Sequence, residues 1–374
     1  MIRTAFLIFA VVCTPLFAAQ TCIRVGEGTI APVHQKKLEQ HGIDTLGVID
    51  TDSTKREATL KKGLQWFESI DQAFAQRPDF WDVCVPPEEH LPVMKKIMQV
   101  DPYARILVEK PICMSYQISE LLELLKSFQG KIVVNENYLS SEITETVLKM
   151  AFETLQLQPR KIVIEMDKNR IIDIKRGRYV DPEGAFKYEG THILTILQSV
   201  LDKLNVSLPM PNYVQYEPLV FSDRSLENQG SADIQFKIGN LDVLLFSSMN
   251  GTLKYPYPPY AKECILEADT AYRYRILAIE GESLDSNLYT VVGFYEPLAN
   301  QPRCLGEVAL FKNGKLVTSL GEIPDDSMGA HLHKAADYLL GKTTSNPCTV
   351  EAGIEIVQLL DRTLPTYNLN CSPK

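Results

Sequence analysis

The sequence has no Lys/Arg-rich run, and its 38 basic residues are outnumbered by 47 acidic ones, for a net charge of −9. Nucleic acids and anionic membranes are bound by positive surface, so both are excluded as main partners. No internal repeat and no low-complexity tract is present, which argues against solenoid and fibrous architectures. No apolar run reaches the about 20 residues needed to span a bilayer. The eight cysteines are scattered, and Cys84 sits inside an apolar strand pattern. They read as isolated buried thiols, not as a disulfide framework. What is present is a globular composition, 45% hydrophobic and 23% charged, spread over 374 residues. That length exceeds what one core usually holds, so two domains are expected.

The first residues stand apart. Arg3 precedes an apolar run from Ala5 to Val12, followed by Pro15 and the small residues Ala18 and Ala19. This is the order of a secretory signal peptide, expected over residues 1–19. If it is real, the mature chain is secreted, periplasmic or lumenal; otherwise it is cytoplasmic. The glycosylation sequons at Asn205, Asn250 and Asn370 decide little.

From Thr21 to about Val134, short apolar runs alternate with helical periodicity. "CIRV", "TLGVID", "WDVCV", "RILVE" and "KIVVN" lack polar alternation, as strands covered on both faces do. Strands alternating with helices mean a parallel sheet with crossover helices. After Tyr138 the pattern changes. A helix over Glu142 to Leu155 leads to "KIVIEM", then a polar loop from Lys168 to Pro182, then the helix that begins "GAFKYEGTHILTIL". Six strand-like segments follow, some joined by turns such as Gly239-Asn240 and Asn313-Gly314. Helices over Ser327 to Leu340 and Val350 to Arg362 close the chain. The fold class is therefore α/β, a Rossmann-type parallel sheet followed by an α+β domain with a mostly antiparallel sheet.

Four strand ends carry chemistry. Gly26-x-Gly28-x-x-Ala31 lies between a strand and a helix, where glycines allow a pyrophosphate to approach the helix N-terminus. Thr29 and Ile30 belong to the same turn. Asp50, 22 residues after Gly28, ends the next strand, where a carboxylate binds ribose hydroxyls. A carboxylate there favours NAD over NADP because it repels a 2′-phosphate, while Lys55 and Arg56 are close enough to blur the choice. Arg24, within so short a first strand, must snorkel or pair. Pro86 and Pro87 stop a third strand and shape a loop at its carboxyl end. His90 follows in the first turn of a helix, as a surface or capping residue or as part of the cofactor loop. Glu109-Lys110-Pro111 follows a further strand. Lys110 is there either a solvated charge or a proton carrier beside a nicotinamide.

Taken in order, GxGxxA with His34, the strand-end Asp50, "VPPEEH", "VEKP", a strand-end Asn and a later Gly-x-His resemble one family. It is the glucose–fructose oxidoreductase/inositol dehydrogenase (Gfo/Idh/MocA) family, and the resemblance runs from Cys22 to the chain end. It implies a nucleotide domain, drawn here at 20–138, and an α+β domain at 139–374 whose open sheet makes homo-oligomer contacts. It implies NAD or NADP, and hydride exchange with a hydroxyl or keto carbon of a sugar, cyclitol or related small molecule. Gly26, Gly28 and Ala31 match the phosphate loop and Asp50 the ribose carboxylate. Pro86 and Pro87 match the loop beside the cofactor. Glu109, Lys110 and Pro111 match the signature whose lysine faces nicotinamide and substrate, and His192 matches the catalytic histidine.

One position departs from the pattern. The family places an aspartate four residues before that histidine, where this chain has Tyr188. Glu189 is one residue off, which on a helix rotates a side chain by about 100°. Tyr188 is either a third catalytic group that donates a proton to an alkoxide, or a mark of altered or lost chemistry. Exported enzymes meet little free cofactor, so a held nucleotide reset within the site fits, in oxidoreduction between two sugars or in redox-neutral glycoside cleavage. A non-catalytic nucleotide-binding sensor is the reading from another class. No metal is expected, because His331 and His333 point apart on a helix. "KYPYPPY", Lys254 to Tyr260, reads as a turn-rich loop before it reads as a sugar-stacking surface. Lys175, Arg176 and Arg178 read as a solvated loop.

Overall fold

The apolar runs of the first half become six parallel strands: β1 (Gln20–Val25), β2 (Ile43–Ile49), β3 (Gln65–Phe67), β4 (Phe80–Val83), β5 (Arg105–Glu109) and β6 (Lys131–Asn135). The computed structural model describes residues 19–175, 185–221, 224–261, 266, 272–299 and 301–363. Residues 1–18 of the expected signal peptide (1–19) and the cysteines at 264 and 371 lie outside them. The strand order is β3-β2-β1-β4-β5-β6, with every neighbour parallel. This doubly wound order brings the carboxyl ends of β1, β2, β4, β5 and β6 to one edge, where such sheets bind ligands.

Crossovers are α1 (Ala31–Gln40), α2 (Arg56–Lys61), α3 (Ile70–Phe74), α4 (Pro87–Val100) and α5 (Ile118–Leu125). In α4, Leu91, Met94, Ile97 and Met98 pack on Trp81, Val83, Ile106 and Val108. Cys22, Phe80, Leu107 and Val133 face the other way, so both sides of the sheet are covered.

The second half builds an eight-stranded sheet behind α6 (Glu142–Leu148). Its strands are β7 (Gln158–Asp167), β8 (Tyr213–Phe221), β9 (Arg224–Ile238), β10 (Leu241–Ser248), β11 (Tyr274–Glu282), β12 (Leu288–Phe294), β13 (Leu305–Lys312) and β14 (Lys315–Pro324). The order is β14-β13-β12-β11-β7-β10-β9-β8, antiparallel throughout except for the β7–β10 pair. The strand β14 had no counterpart in the sequence pattern. All its residues except Ile323 are exposed, so it shows no inward alternation. Its turn was legible: Asn313 and Gly314 both take positive φ, at 49° and 74°.

Three helical segments differ from expectation or refine it. The helix expected to run to Leu155 changes to a π-helical turn over Lys149–Thr154. The polar loop expected over 168–182 contains the short helix α7 (Ile171–Lys175). The helix α8 (Ala185–Leu204) packs its tail on the sheet, where Ile193, Leu194, Ile196, Leu197, Val200 and Leu201 are fully buried. Each such side chain contributes roughly 1.5–3 kcal/mol. The tail therefore holds the helix and leaves its head able to bury charges, at a cost of several kcal/mol per ion before pairing. Gly190 lets a neighbour come close, since a Cβ there would stand 2.9 Å from Leu360 Cδ1. Leu360 belongs to α10 (Val350–Thr363).

The preceding helix, α9 (Ser327–Leu339), crosses back to the first sheet. Its Leu332, Ala335, Ala336 and Leu339 bury against Leu38, Leu107 and Val133, although the linear division assigns it to the second domain. The outer face of the large sheet, expected to be open, is partly covered by the chain itself. Tyr255, Tyr257 and Tyr260 of the Lys254–Tyr260 segment pack there against Tyr274, Ile276, Phe294 and Phe311. The described cysteines are all free, and four of the five are buried. Among the described residues no helix is long and apolar enough to cross a membrane.

Candidate active site

The nucleotide edge begins where β1 ends. Gly26 takes φ +97°, and a Cβ there would lie 2.7 Å from the Cys84 carbonyl oxygen, so only glycine fits. Its N–H donates to Ile49 O at 2.8 Å, tying the turn to the end of β2. Gly28 is exposed, and a Cβ there would meet nothing nearer than Cys84 O at 3.9 Å. The protein thus leaves open space over this glycine. Thr29 is exposed and Ile30 half-buried, and α1 begins without a side-chain cap. Pro32 has no N–H, and Val33 N and His34 N donate to Ile30 O at 2.9 and 3.2 Å, so the amides ahead of Pro32 and the positive dipole end are what face a phosphate.

Asp50 accepts from Glu27 N at 2.7 Å, Asp52 N at 2.8 Å and Lys55 Nζ at 2.9 Å. Its partial burial would raise the carboxyl pKa, but these bonds hold it below the usual range. A carboxylate accepts about four bonds, so capacity for a ribose hydroxyl remains. Arg56 is turned away onto Glu68 at 2.9 Å, which narrows the ambiguity to Lys55. Arg24, fully buried, pairs with Glu27 at 2.6 Å. The glycine cradle, uncapped helix and ribose carboxylate fit a dinucleotide.

Beneath this edge lies a closed polar cluster. His34 on α1 is fully buried, with Nδ1 2.8 Å from Asp82 Oδ1 and Nε2 2.8 Å from Glu109 Oε1. Burial works against a charged ring, yet the Asp82 charge and hydrogen bond raise its pKa well above the ordinary histidine value. Burial likewise opposes ionisation of Glu109, but the His34 ring, Lys110 and Asn135 hold it down to about 2. Asn135 Nδ2 donates to Glu109. Burial pushes the Cys84 thiol up to about 12, so it stays protonated and its Sγ donates to Asp82 at 3.5 Å. His34, Asp82 and Cys84 are close enough to share a metal ion. With both ring nitrogens already directed at carboxylates, the cluster is better satisfied by a proton.

His90 is neither on the surface nor a cap. It is fully buried, with Nδ1 2.6 Å from Pro111 O and Nε2 2.9 Å from Val85 O. It therefore joins the loop of Pro86 and Pro87 to the one carrying Lys110. Pro86 is exposed and Pro87 starts α4.

Lys110 and Glu136 directly follow Glu109 and Asn135 in the chain, and the groups around them are left open. Lys110 is half-buried and makes no hydrogen bond or ion pair among the described residues. Across from it, His192 on α8 has a buried Nδ1 without a partner. Burial and the nearby Lys110 charge push its pKa well below the ordinary value, so the ring is neutral and a weak base. The Tyr138 ring stands edge-on to it at 5.0 Å.

Glu136, just past β6, accepts from Thr195 Oγ1 at 2.9 Å, while its other oxygen is buried without a partner. Burial raises its pKa to about 8, against the pull of Lys110 and of the Thr195 bond. Glu189, one turn before His192, does not act in the place of the expected aspartate. Its two oxygens hold Arg170 at 2.9 Å and Arg275 at 3.0 Å. Burial alone would raise this carboxyl, and the two guanidiniums keep it well below the usual range. The side chain of Tyr188 lies outside the described residues, as do Arg176 and Arg178; Lys175 is exposed.

His331 and His333 do point apart: one lies 2.9 Å from Val134 O and the other stacks on His41 at 4.3 Å. Sequence reasoning did not single out Glu136, Tyr138, Arg273 or Arg275. The first two follow a strand end at the ligand edge, a signal that was available. Arg275 lies in β11 and Arg273 just before it, and nothing in the linear pattern ties them to β6.

Residues 21–136 match the family model GFO_IDH_MocA, described as an oxidoreductase family with an NAD-binding Rossmann fold. Among curated proteins, no sequence matches the chain. Solved structures match over nearly the whole length. A protein from Desulfitobacterium hafniense assigned as an NADPH-dependent oxidoreductase is 11% identical, with 93% of this chain and 95% of that chain covered and a TM-score of 0.71. The UDP-N-acetylglucosamine 3-dehydrogenase GnnA from Acidithiobacillus ferrooxidans is 14% identical, with 92% and 96% covered and a TM-score of 0.59. GenD2 from gentamicin A biosynthesis, in complex with NAD, is 14% identical, with 92% and 93% covered and a TM-score of 0.62. The family that the motifs resemble is the one whose model matches residues 21–136 of this chain.

Proposed function

We propose that this chain, with its NAD-binding oxidoreductase domain at residues 21–136, exchanges hydride with a hydroxyl or keto carbon of a sugar, cyclitol or related small molecule. The observation that carries the reading is the contrast within one motif. Glu109 is locked by His34 and Asn135, while the adjacent Lys110 is left unpaired opposite the neutral His192. A bound nicotinamide supplies the hydride donor or acceptor at its C4.

The chain's own residues supply the proton path and the charge. His192 is neutral and takes the hydroxyl proton in the oxidation direction. Lys110 stabilises the oxyanion that develops as that proton leaves. Asp50 orients the adenosine ribose and favours NAD, while Gly26, Gly28, Thr29, Ile30 and Ala31 seat the pyrophosphate. Pro86 and Pro87 wall the nicotinamide side, braced by His90.

The test is to purify the protein, denature it, and assay the released material for NAD(H) and NADP(H). Sugars and cyclitols are then supplied while nicotinamide absorbance is followed. Bound or bindable nucleotide with turnover on a polyol is expected. Nucleotide without turnover on any polyol, and without glycoside cleavage, would give the sensor reading precedence. Absence of any nucleotide binding overturns both. Turnover that survives Tyr188→Phe but not Lys110→Ala assigns the oxyanion role to Lys110.

A further inference from the structure

Four cations from two neighbouring strand ends meet beside the cleft. Lys168 and Arg170 follow β7, Arg273 precedes β11, and Arg275 lies within it. β7 and β11 are paired, with Arg275 opposite Met166, so both segments emerge at the same end of the sheet. Among the described residues, two carboxylates face this group. Asp173 takes Lys168, and Arg170 at 3.2 Å. Glu189 spends one oxygen on Arg170 and the other on Arg275. Arg275 is completed by the Tyr138 hydroxyl, to which its Nη1 donates at 2.8 Å.

Arg273 is left over. It forms no hydrogen bond or ion pair with any described residue, and its Nε is buried without a partner. The nearby Arg275 charge, with burial, pulls its pKa down to about 10, so the guanidinium keeps its charge at neutral pH. Arg273 is half-buried, and its Nε is held beside two like charges that the nearby Glu189 only partly offsets, which is costly unless something neutralises it. Its link to the reacting residues runs through its neighbours: Arg275 holds Tyr138, and Tyr138 stands edge-on to His192.

We infer that Arg273 is an anion-binding point of the substrate site, and that the polyol substrate carries a carboxylate or phosphate whose oxygens take the guanidinium fork. The inference rests on the proposed function only in placing the reacting carbon at Lys110 and His192. A guanidinium presents paired N–H donors matched to both anions. A neutral polyol cannot supply the missing charge, so a site built this way discriminates strongly against it.

Calorimetric titration of the full chain with D-glucuronate, D-glucose 6-phosphate and D-glucose tests this without relying on turnover. The charged probes are expected to bind roughly ten- to a hundred-fold more tightly than glucose. The better of the two identifies the anion. Arg273→Gln should abolish the preference and Arg273→Lys should restore part of it. Equal affinity for all three probes, absence of anion binding included, overturns the inference, as does a preference that survives in Arg273→Gln.

A thermal melt guards against a purely structural role. Because the substitution removes a like-charge neighbour of Arg275, Arg273→Gln should melt at or above the wild-type temperature, and a clear decrease counts against the inference. NADH binding, followed separately by fluorescence, is the readout that sinks the proposed function, so the two failures are distinguishable.

Discussion

Two polar clusters touch along the chain at Glu109–Lys110 and Asn135–Glu136, and they are built on different terms. In the first, His34, Asp82, Glu109 and Asn135 are buried and bonded to one another, with Asp82 Oδ2 and Asn135 Oδ1 left over. In the second, Lys110, Glu136, His192 and Arg273 each keep a polar atom without a partner or form no pair among the described residues. The peptide bond between Glu109 and Lys110 is the boundary. Buried polar groups that satisfy one another rigidify a position, while those left open store capacity for a ligand or a proton. The closed cluster holds the backbone that carries Lys110, and the open one does the chemistry proposed for it.

The largest effect expected falls on the open side. Lys110→Ala should lower kcat/KM on whichever polyol is turned over by about a hundred- to ten-thousand-fold, with an unchanged melting temperature. A melting loss as marked as the activity loss would mean that Lys110 belongs to the closed cluster after all. On the closed side, Asp82→Ala leaves the His34 charge without one of its two carboxylates. Breaking such a buried pair costs about 3–5 kcal/mol, measurable by urea unfolding. A loss under about 1 kcal/mol, the worth of an exposed pair, would show that the cluster is not a unit.

Glu136 sharpens the contrast through pH. Its folded pKa stands at about 8, against an ordinary 4.5. The raised value means its contribution to stability is full below the unfolded pKa and is lost as pH rises towards about 8, because the folded state must then ionise a buried carboxyl. Melts at acid and mildly alkaline pH should show this loss in the wild type and a flatter profile in Glu136→Gln. An identical profile in both would place the titration elsewhere. The smallest effect is expected at the partly exposed edge. Asp50→Asn should weaken NADH binding roughly ten-fold and shift preference towards NADPH, read by fluorescence titration; an unchanged ratio would remove Asp50 from cofactor selection.

The nucleotide edge was legible in the sequence for a geometric reason. In a parallel sheet covered on both faces, every strand carboxyl end comes to the same edge. Reading the strands was therefore enough to bring Gly26, Asp50, Pro86, Lys110 and Asn135 together. The strand β14 was not legible, because it is exposed along nearly its whole length. The return of α9 to the first sheet was hidden too, since an apolar helix face does not name the surface it covers.

The sequence by itself determined the doubly wound nucleotide domain, the phosphate turn and the placing of Lys110, since each depends on local periodicity and on strand ends. The tertiary structure alone decided the partners of the charges. Arg275 reaches Tyr138 across 137 positions of chain, through the register of β11 on β7. That register turns Glu189 into a counter-ion and leaves Arg273 unpaired. Charges are matched by position in space, and a linear pattern carries no record of which cation has already been neutralised.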